Sequence, residues 1–200
     1  FPGGYTSTAV RWKDAWIVFA RNQPDARVGL SGSAWIFREG HCQALEPLPS
    51  AAWISPALAV VGDQLLVAAG ARWDAFGGVT NANEVWSYSL EQRSWRKMGT
   101  LPLYVRGMTA WTIDAQTVYL AGGYEQAPGT TVGSFSKRGF LLSLANETVV
   151  PSLDLPYAGM VHGASNESHL FVVGGEDQMR HRSSAVYRIE KSYFFRAAKP

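Results

Sequence analysis

The sequence predicts an all-β fold assembled from repeated small sheets, and three observations carry that expectation. An apolar strand ending in small residues appears four times, as WIVFA (16–20), LLVAAG (65–70), VYLAGG (118–123) and LFVVGG (170–175). Each is followed by a loop and a second apolar strand: SAWIFR (33–38), EVWSYS (84–89), GFLLSL (139–144) and AVYRIE (185–190). Each unit then closes near a proline, at Pro49, Pro102, Pro156 and Pro200, with Pro2 ahead of the first unit. Hydrophobic residues make up 46% of the 200 and charged residues 17%, which suits a packed domain and not a disordered chain.

A period near 50 built of short strands is the signature of a kelch-type β-propeller, whose blades are four-stranded sheets around a channel. The expected organisation is one domain over 1–200 with repeats of about 3–49, 50–102, 103–156 and 157–200, each of four antiparallel strands. In the second unit these fall at roughly 56–61, 65–69, 84–89 and 95–99. No segment sustains a helical period, so helix is expected to be minor.

The second unit most resembles a kelch repeat, with Ala69-Gly70, then Tyr88, then Trp95 seven residues on. The fourth keeps Gly174-Gly175, Tyr187 and Phe194, while the first and third have lost the aromatic pair. The glycines are read as permitting a tight strand exit, and the aromatics as packing between blades. Each unit looks complete in itself, so no strand is left over to clasp the ends. Two arrangements remain open, a compact four-bladed ring and a segment of a larger propeller. The second is favoured, with another chain or segment covering the open edges.

Composition narrows the function classes. Net charge is +2 and no basic run exists, so nucleic acid is not an expected partner. No apolar run approaches the ~18 residues a membrane helix needs, and no membrane partner is expected. Cys42 is the single cysteine and cannot close an internal disulfide. The opening FPGGYTS reads as neither signal peptide nor initiator methionine, so trimming ahead of it is expected. Asn146-Glu147-Thr148 and Asn166-Glu167-Ser168 fit the short glycosylation pattern. Neither metal-ligand spacing nor a phosphate-cradling glycine loop is present.

Propeller loops gather at the two ends of the channel, where a ligand site is expected. One loop set follows the second strand of each unit: Arg21, Asn22, Asp25 and Arg27; Arg72, Trp73 and Asp74; Tyr124 and Glu125; and Glu176 through Arg182. The other leads into each first strand: Tyr5 and Thr6; Trp53 and Ser55; Tyr104 and Arg106; Tyr157 and His162. The aromatics Tyr5, Trp53, Tyr104 and Tyr157 recur at corresponding positions, either as a sugar-stacking floor or as packing at the blade junctions. Glu176 and Arg182 have the best chemical case, a proton-transfer carboxylate beside a guanidinium whose fork matches an anionic substrate. The competing reading is a surface ion pair worth ~0–1 kcal/mol. His162, His181, His169 and His41 follow as proton-transfer candidates, His162 first, with Asp177 secondary.

The last three units also resemble a narrower kelch group, the bacterial N-acetylneuraminate (sialic acid) epimerases or mutarotases. The matching stretches are LAGGYEQ (120–126), FLLSL (140–144), LPYAGMVHGAS (155–165) and GGEDQMRHRSSAVYRIE (174–190). The resemblance implies ring opening and reclosure at the anomeric carbon without a cofactor, in an exported, periplasmic or secreted protein. It implies Glu176 as base or acid, Arg182 on the substrate carboxylate and His162 as the second proton-transfer group. Arg180, Arg106, Tyr157, Tyr104 and Arg72 complete the candidate substrate-binding set. The family has six blades and a long insertion in the third unit, where this chain carries only residues 126–137. The alternative function is a non-catalytic kelch module that binds glycan or protein, as one domain of a larger carbohydrate-active protein.

Overall fold

The structure is a computed structural model that describes residues 4–22, 32–73 and 78–196. The first sheet holds β1 (Gly4–Trp12), β2 (Ala15–Asn22), β3 (Gly32–Arg38) and β4 (His41–Ala44), in that order and antiparallel throughout. The second is built from β5 (Ala57–Val61) and β6 (Gln64–Ala68), then, after a small ribbon of β7 (Ala71–Trp73) and β8 (Val79–Asn81), β9 (Glu84–Ser89) and β10 (Ser94–Thr100). These are the strands the sequence pattern places there, shifted by a residue at some ends.

The third sheet repeats the plan. β11 (Val105–Arg106) precedes β12 (Thr109–Thr112) and β13 (Thr117–Ala121). β14 (Tyr124–Glu125) and β15 (Ser134–Phe135) follow, then β16 (Gly139–Ser143) and β17 (Thr148–Ser152). The blade is β12-β13-β16-β17, and β11-β14-β15 form a small sheet at its end. The fourth sheet differs from the expected four strands. Among the described residues it has three, β18 (Met160–Ser165), β19 (His169–Gln178) and β20 (His181–Glu190). A helical turn, α1 (Ser192–Arg196), stands in sequence where an outer strand was expected.

That helical turn also changes the fourth unit's aromatic pair. In the second unit Tyr88 and Trp95 lie with ring centroids 4.8 Å apart in the cluster between the first and second sheets, the blade-junction packing expected of them. In the fourth unit Tyr187 lies against Tyr157 at 5.7 Å, and Phe194 packs on Tyr119 at 4.6 Å. A residue on a helical turn cannot pair across a strand ladder, so Phe194 closes the junction with the third sheet instead.

Side-chain alternation decides which face of each sheet is buried. In β2, Ala15, Ile17 and Phe19 are buried in a cluster with Leu58, Leu65, Val67 and Tyr88 of the second sheet. A second cluster joins Leu66 and Val85 to Val118, Leu120 and Phe140, so it seals the second and third sheets together. A third joins Trp111 and Tyr119 to Leu170, Val172 and Phe194. Each fully buried large apolar side chain contributes about 1.5–3 kcal/mol. Polar ties cross the same junctions: Thr112 Oγ1 donates to the Val60 carbonyl at 3.1 Å, and Thr109 Oγ1 to that of Val161 at 2.5 Å.

Among the described residues no cluster joins the fourth sheet to the first. The faces of these two sheets that pack on no neighbouring sheet among the described residues carry exposed apolar side chains. Trp16 and Phe37 pair across β2 and β3, 48% and 39% exposed, and Val173 and Val186 pair across β19 and β20, 38% and 65% exposed. The sheets are thus an array with three packed junctions and two bare apolar ends.

Two predictions follow from this packing. Gly175 has φ +99°, and a Cβ there would lie 2.1 Å from the Met160 carbonyl oxygen. Gly175→Ala is expected to lower unfolding free energy in urea by roughly 1–3 kcal/mol; an unchanged midpoint would refute the close approach. At the first junction Tyr88 donates its hydroxyl to Glu46, whose other oxygen accepts from Arg93 Nε at 3.0 Å. Burial, with the Glu46 bond, pushes Tyr88 up to about 12, and the same bond is the main force holding Glu46 below its ordinary value. A lowered carboxylate contributes stability above its unfolded pKa that is lost as pH falls through the folded one. Tyr88→Phe should move the Glu46 titration up toward its ordinary value by carbon-detected NMR and shrink the acid limb of the stability curve.

Candidate functional site

Glu176 and Arg182 meet because of how the fourth hairpin is built. After the core of β19, Gly174 and Gly175 take φ +46° and +99°, values glycine adopts without Cβ strain. The ladder register shifts there and again between Glu176 and Gln178. Such bulges re-aim side chains beside functional sites. The strand stays paired beyond the glycines, and the hairpin turns at Met179 and Arg180. In the resulting register Met160, Glu176 and Arg182 form one row across β18, β19 and β20.

That row borders a cavity of about 860 Å³ between the inner strands of all four sheets. His162, from β18, lines it too, as do Arg11 of β1, Ser55 and Thr109. Glu176 is half-buried, and one of its oxygens accepts the Arg180 backbone N–H at 3.2 Å. Arg182 is exposed, and among the described residues its guanidinium has no hydrogen bond and no carboxylate within ion-pair distance. The simple surface ion pair between Glu176 and Arg182 is therefore not what the geometry contains. Two arginines, Arg11 and Arg182, and one carboxylate, Glu176, border the cavity, with Arg11 Nε donating to the Lys13 carbonyl at 3.1 Å. That excess of positive charge attracts an anion, and an uncommitted guanidinium can take a carboxylate in its two-pronged geometry.

The other candidates are placed elsewhere. Arg180 sits exposed at the hairpin tip and does not border this cavity. Arg106 donates to Asn81 Oδ1 at 2.8 Å and lies over the Tyr124 ring at 4.6 Å. Tyr157 donates its hydroxyl to the Gly174 carbonyl at 2.5 Å, and burial raises its pKa. It braces the bulge behind Glu176. Trp53 is buried against Phe19 at 5.5 Å, so the junction-packing reading holds for it. Tyr104 borders a separate cavity. Arg72 is exposed on β7 opposite Thr80, away from the cavity. Asp25, Arg27 and Asp74 lie outside the described residues, as do the side chains of Tyr5, Thr6, Arg21 and Asn22.

His181 and Asp177 pair at 2.5 Å across the hairpin tip. The hydrogen bond from His181 is the main cause holding Asp177 below its ordinary value. His181 is exposed, Asp177 is half-buried, and neither borders the cavity, consistent with a clamp on the tip. Among the described residues no group of three or more His, Cys, Asp or Glu gathers to hold a metal. Arg11 escaped the sequence reading because it lies within a strand and not on a loop. The available signal was its place on the first strand of a unit, the one that borders a propeller's channel.

The array of four small antiparallel sheets around a shared cavity is a kelch-like β-propeller fold. The solved structure of YjhT matches it with a TM-score of 0.75 at 15% sequence identity, over 94% of this chain and 63% of that one. The chain thus spans less than two-thirds of that structure's length. At this identity the likeness shows the fold. No family model matches the chain, and no curated protein matches it in sequence.

Removal of the tip clamp has a defined consequence. His181→Ala should raise the Asp177 pKa toward its ordinary value, read by side-chain NMR titration, and leave the global unfolding midpoint within error because His181 is exposed. An unmoved Asp177 titration would show that the pair does not form.

Proposed function

We propose that the chain is a sugar-acid mutarotase-like propeller that interconverts the anomers of a sialic acid. The observation that carries this reading is the register of Glu176 against Arg182, with His162 on the same cavity. The resemblance of the fourth unit to N-acetylneuraminate mutarotases supports it, and the fold likeness to YjhT is compatible with it.

The chemistry needs two proton movements and no redox step. A base takes the proton of the anomeric hydroxyl, that oxygen becomes a ketone oxygen, and the ring C–O bond breaks. Its electron pair stays on the ring oxygen, which receives a proton from an acid. Rotation about the exposed C–C bond and the reverse sequence give the other anomer. Glu176 and His162 are the two proton-transfer groups, since a carboxylate and an imidazole can each take and return one. Arg182 holds the substrate carboxylate and so anchors the ketone end of the open chain while the rest of the chain rotates to present either face. Arg11 adds to the field that draws an anion in.

NMR on freshly released α-N-acetylneuraminate tests this directly. The protein should shorten anomeric equilibration. Glu176→Gln should lower the catalysed rate by ~100-fold or more while substrate still binds, as expected for a proton-transfer group. Arg182→Ala should weaken substrate binding by about 1.5–3 kcal/mol, the range of a charge-assisted hydrogen bond. A wild-type rate equal to the buffer rate would sink the enzymatic reading. Binding without acceleration would move the chain to the second class, a glycan-binding module.

A further inference from the structure

A second cavity, of about 420 Å³, opens at the end of the third sheet. It lies beside the small sheet β11-β14-β15, and its border includes Tyr104, Glu125, Gln126, Val132 and Arg138. Its volume falls within the range of small-molecule sites. Chemically it is the opposite of the channel, because one acid and one base balance it. Glu125 and Arg138 approach to 3.7 Å, an ion pair too long for a hydrogen bond, so both keep capacity for a ligand.

The aromatic of this cavity is held by its backbone and left free at its ring. The Tyr104 carbonyl accepts from Asn81 Nδ2 at 3.3 Å and from the Gln126 N–H at 3.0 Å. Asn81, almost fully buried, bonds the Tyr124 carbonyl at 2.8 Å as well, and its own oxygen accepts from Arg106. The Arg106–Asn81 pair thus fastens the two segments that border the cavity. The Tyr104 side chain is 38% exposed and its hydroxyl bonds nothing among the described residues. Gln126 donates Nε2 to the Thr130 carbonyl at 2.8 Å, which fixes its amide and leaves the side-chain oxygen as an acceptor.

We propose that this cavity is a second ligand site, for a neutral glycan. A half-exposed ring on an anchored backbone offers an apolar face to the C–H side of a sugar. Planar carboxylate, amide and guanidinium groups around it match vicinal hydroxyls in pairs. The balanced charge disfavours an acid and accepts an uncharged sugar. The site does not depend on the anomer-exchange reading, which concerns other residues.

Saturation-transfer NMR with the full chain tests it, using lactose, N-acetyllactosamine and chitobiose at millimolar concentration. At least one should receive saturation and shift the Tyr104 ring signals. Tyr104→Ala should abolish the transfer, Glu125→Gln should weaken binding about tenfold, and Tyr104→Phe, which keeps the ring, should bind nearly as wild type. Arg182→Ala should leave this binding unchanged. Circular dichroism confirms the fold of each variant. The proposal is overturned if no disaccharide is saturated, if saturation survives Tyr104→Ala, or if it is Arg182→Ala that removes it.

Discussion

Backbone packed directly on backbone at glycine is the constraint on which this architecture depends. Where the second strand of a sheet ends, the chain passes within hydrogen-bonding distance of the loop leading into the next sheet. Gly70 donates to the Val105 carbonyl at 3.0 Å, and Gly123 to that of Gly159 at 2.7 Å. A side chain cannot fit there: a Cβ on the neighbouring Gly122 would fall 2.6 Å from the Gly159 carbonyl oxygen. In the fourth sheet Gly175 makes a similarly close backbone approach, to Met160 on the first strand of its own sheet. In the second and third sheets the strand leaves after its glycine and joins a separate small sheet. In the fourth it stays paired, and the long β19–β20 hairpin carries Glu176 and Arg182 over the cavity. One structural requirement, met two ways, separates scaffold from site.

The two cavities show how the same frame supports different chemistry. The channel gathers side chains from all four sheets and carries an excess of guanidinium groups, so it draws anions. The rim cavity is made within one sheet's end loops, and its acid and base offset each other. Tyr104, which the sequence pattern grouped with the channel, borders the second of these, and Arg106 borders neither. Arg106 works through Asn81 and Tyr124 as a fastener, and Tyr104 presents its ring. The bare faces at Trp16 and Phe37 and at Val173 and Val186 are of the kind a further sheet covers in a propeller, and we propose a neighbouring blade as their partner.

Strand positions and the repeat were legible because alternation and glycine placement are local. WIVFA and LFVVGG declare a buried face by period, and the structure buries Ile17, Phe19, Leu170 and Val172 accordingly. The six-residue step from Glu176 to Arg182 was visible in the sequence, but its pairing was not: a two-residue turn opposes residues an odd number apart, such as Gln178 and His181, and it is the bulge between Glu176 and Gln178 that brings Glu176 level with Arg182. The end of the fourth unit was not legible either. Phe194 has the spacing of a strand aromatic, yet it sits on a helical turn, and its partner Tyr119 is 75 residues away in sequence. Arg11 was hidden for a related reason. Its neighbours across the cavity come from other sheets, and only the closed packing of three junctions brings them together.

The central claim is that Glu176 and Arg182 act on one bound sugar acid as a unit. A double-mutant cycle on anomeric exchange, with Glu176→Gln, Arg182→Ala and the double variant compared by NMR at saturating N-acetylneuraminate, tests it most directly. Residues that act together are non-additive, so the double variant should be no slower than the slower single one. Fully additive losses, or single variants that exchange anomers as fast as the wild type, would contradict the account.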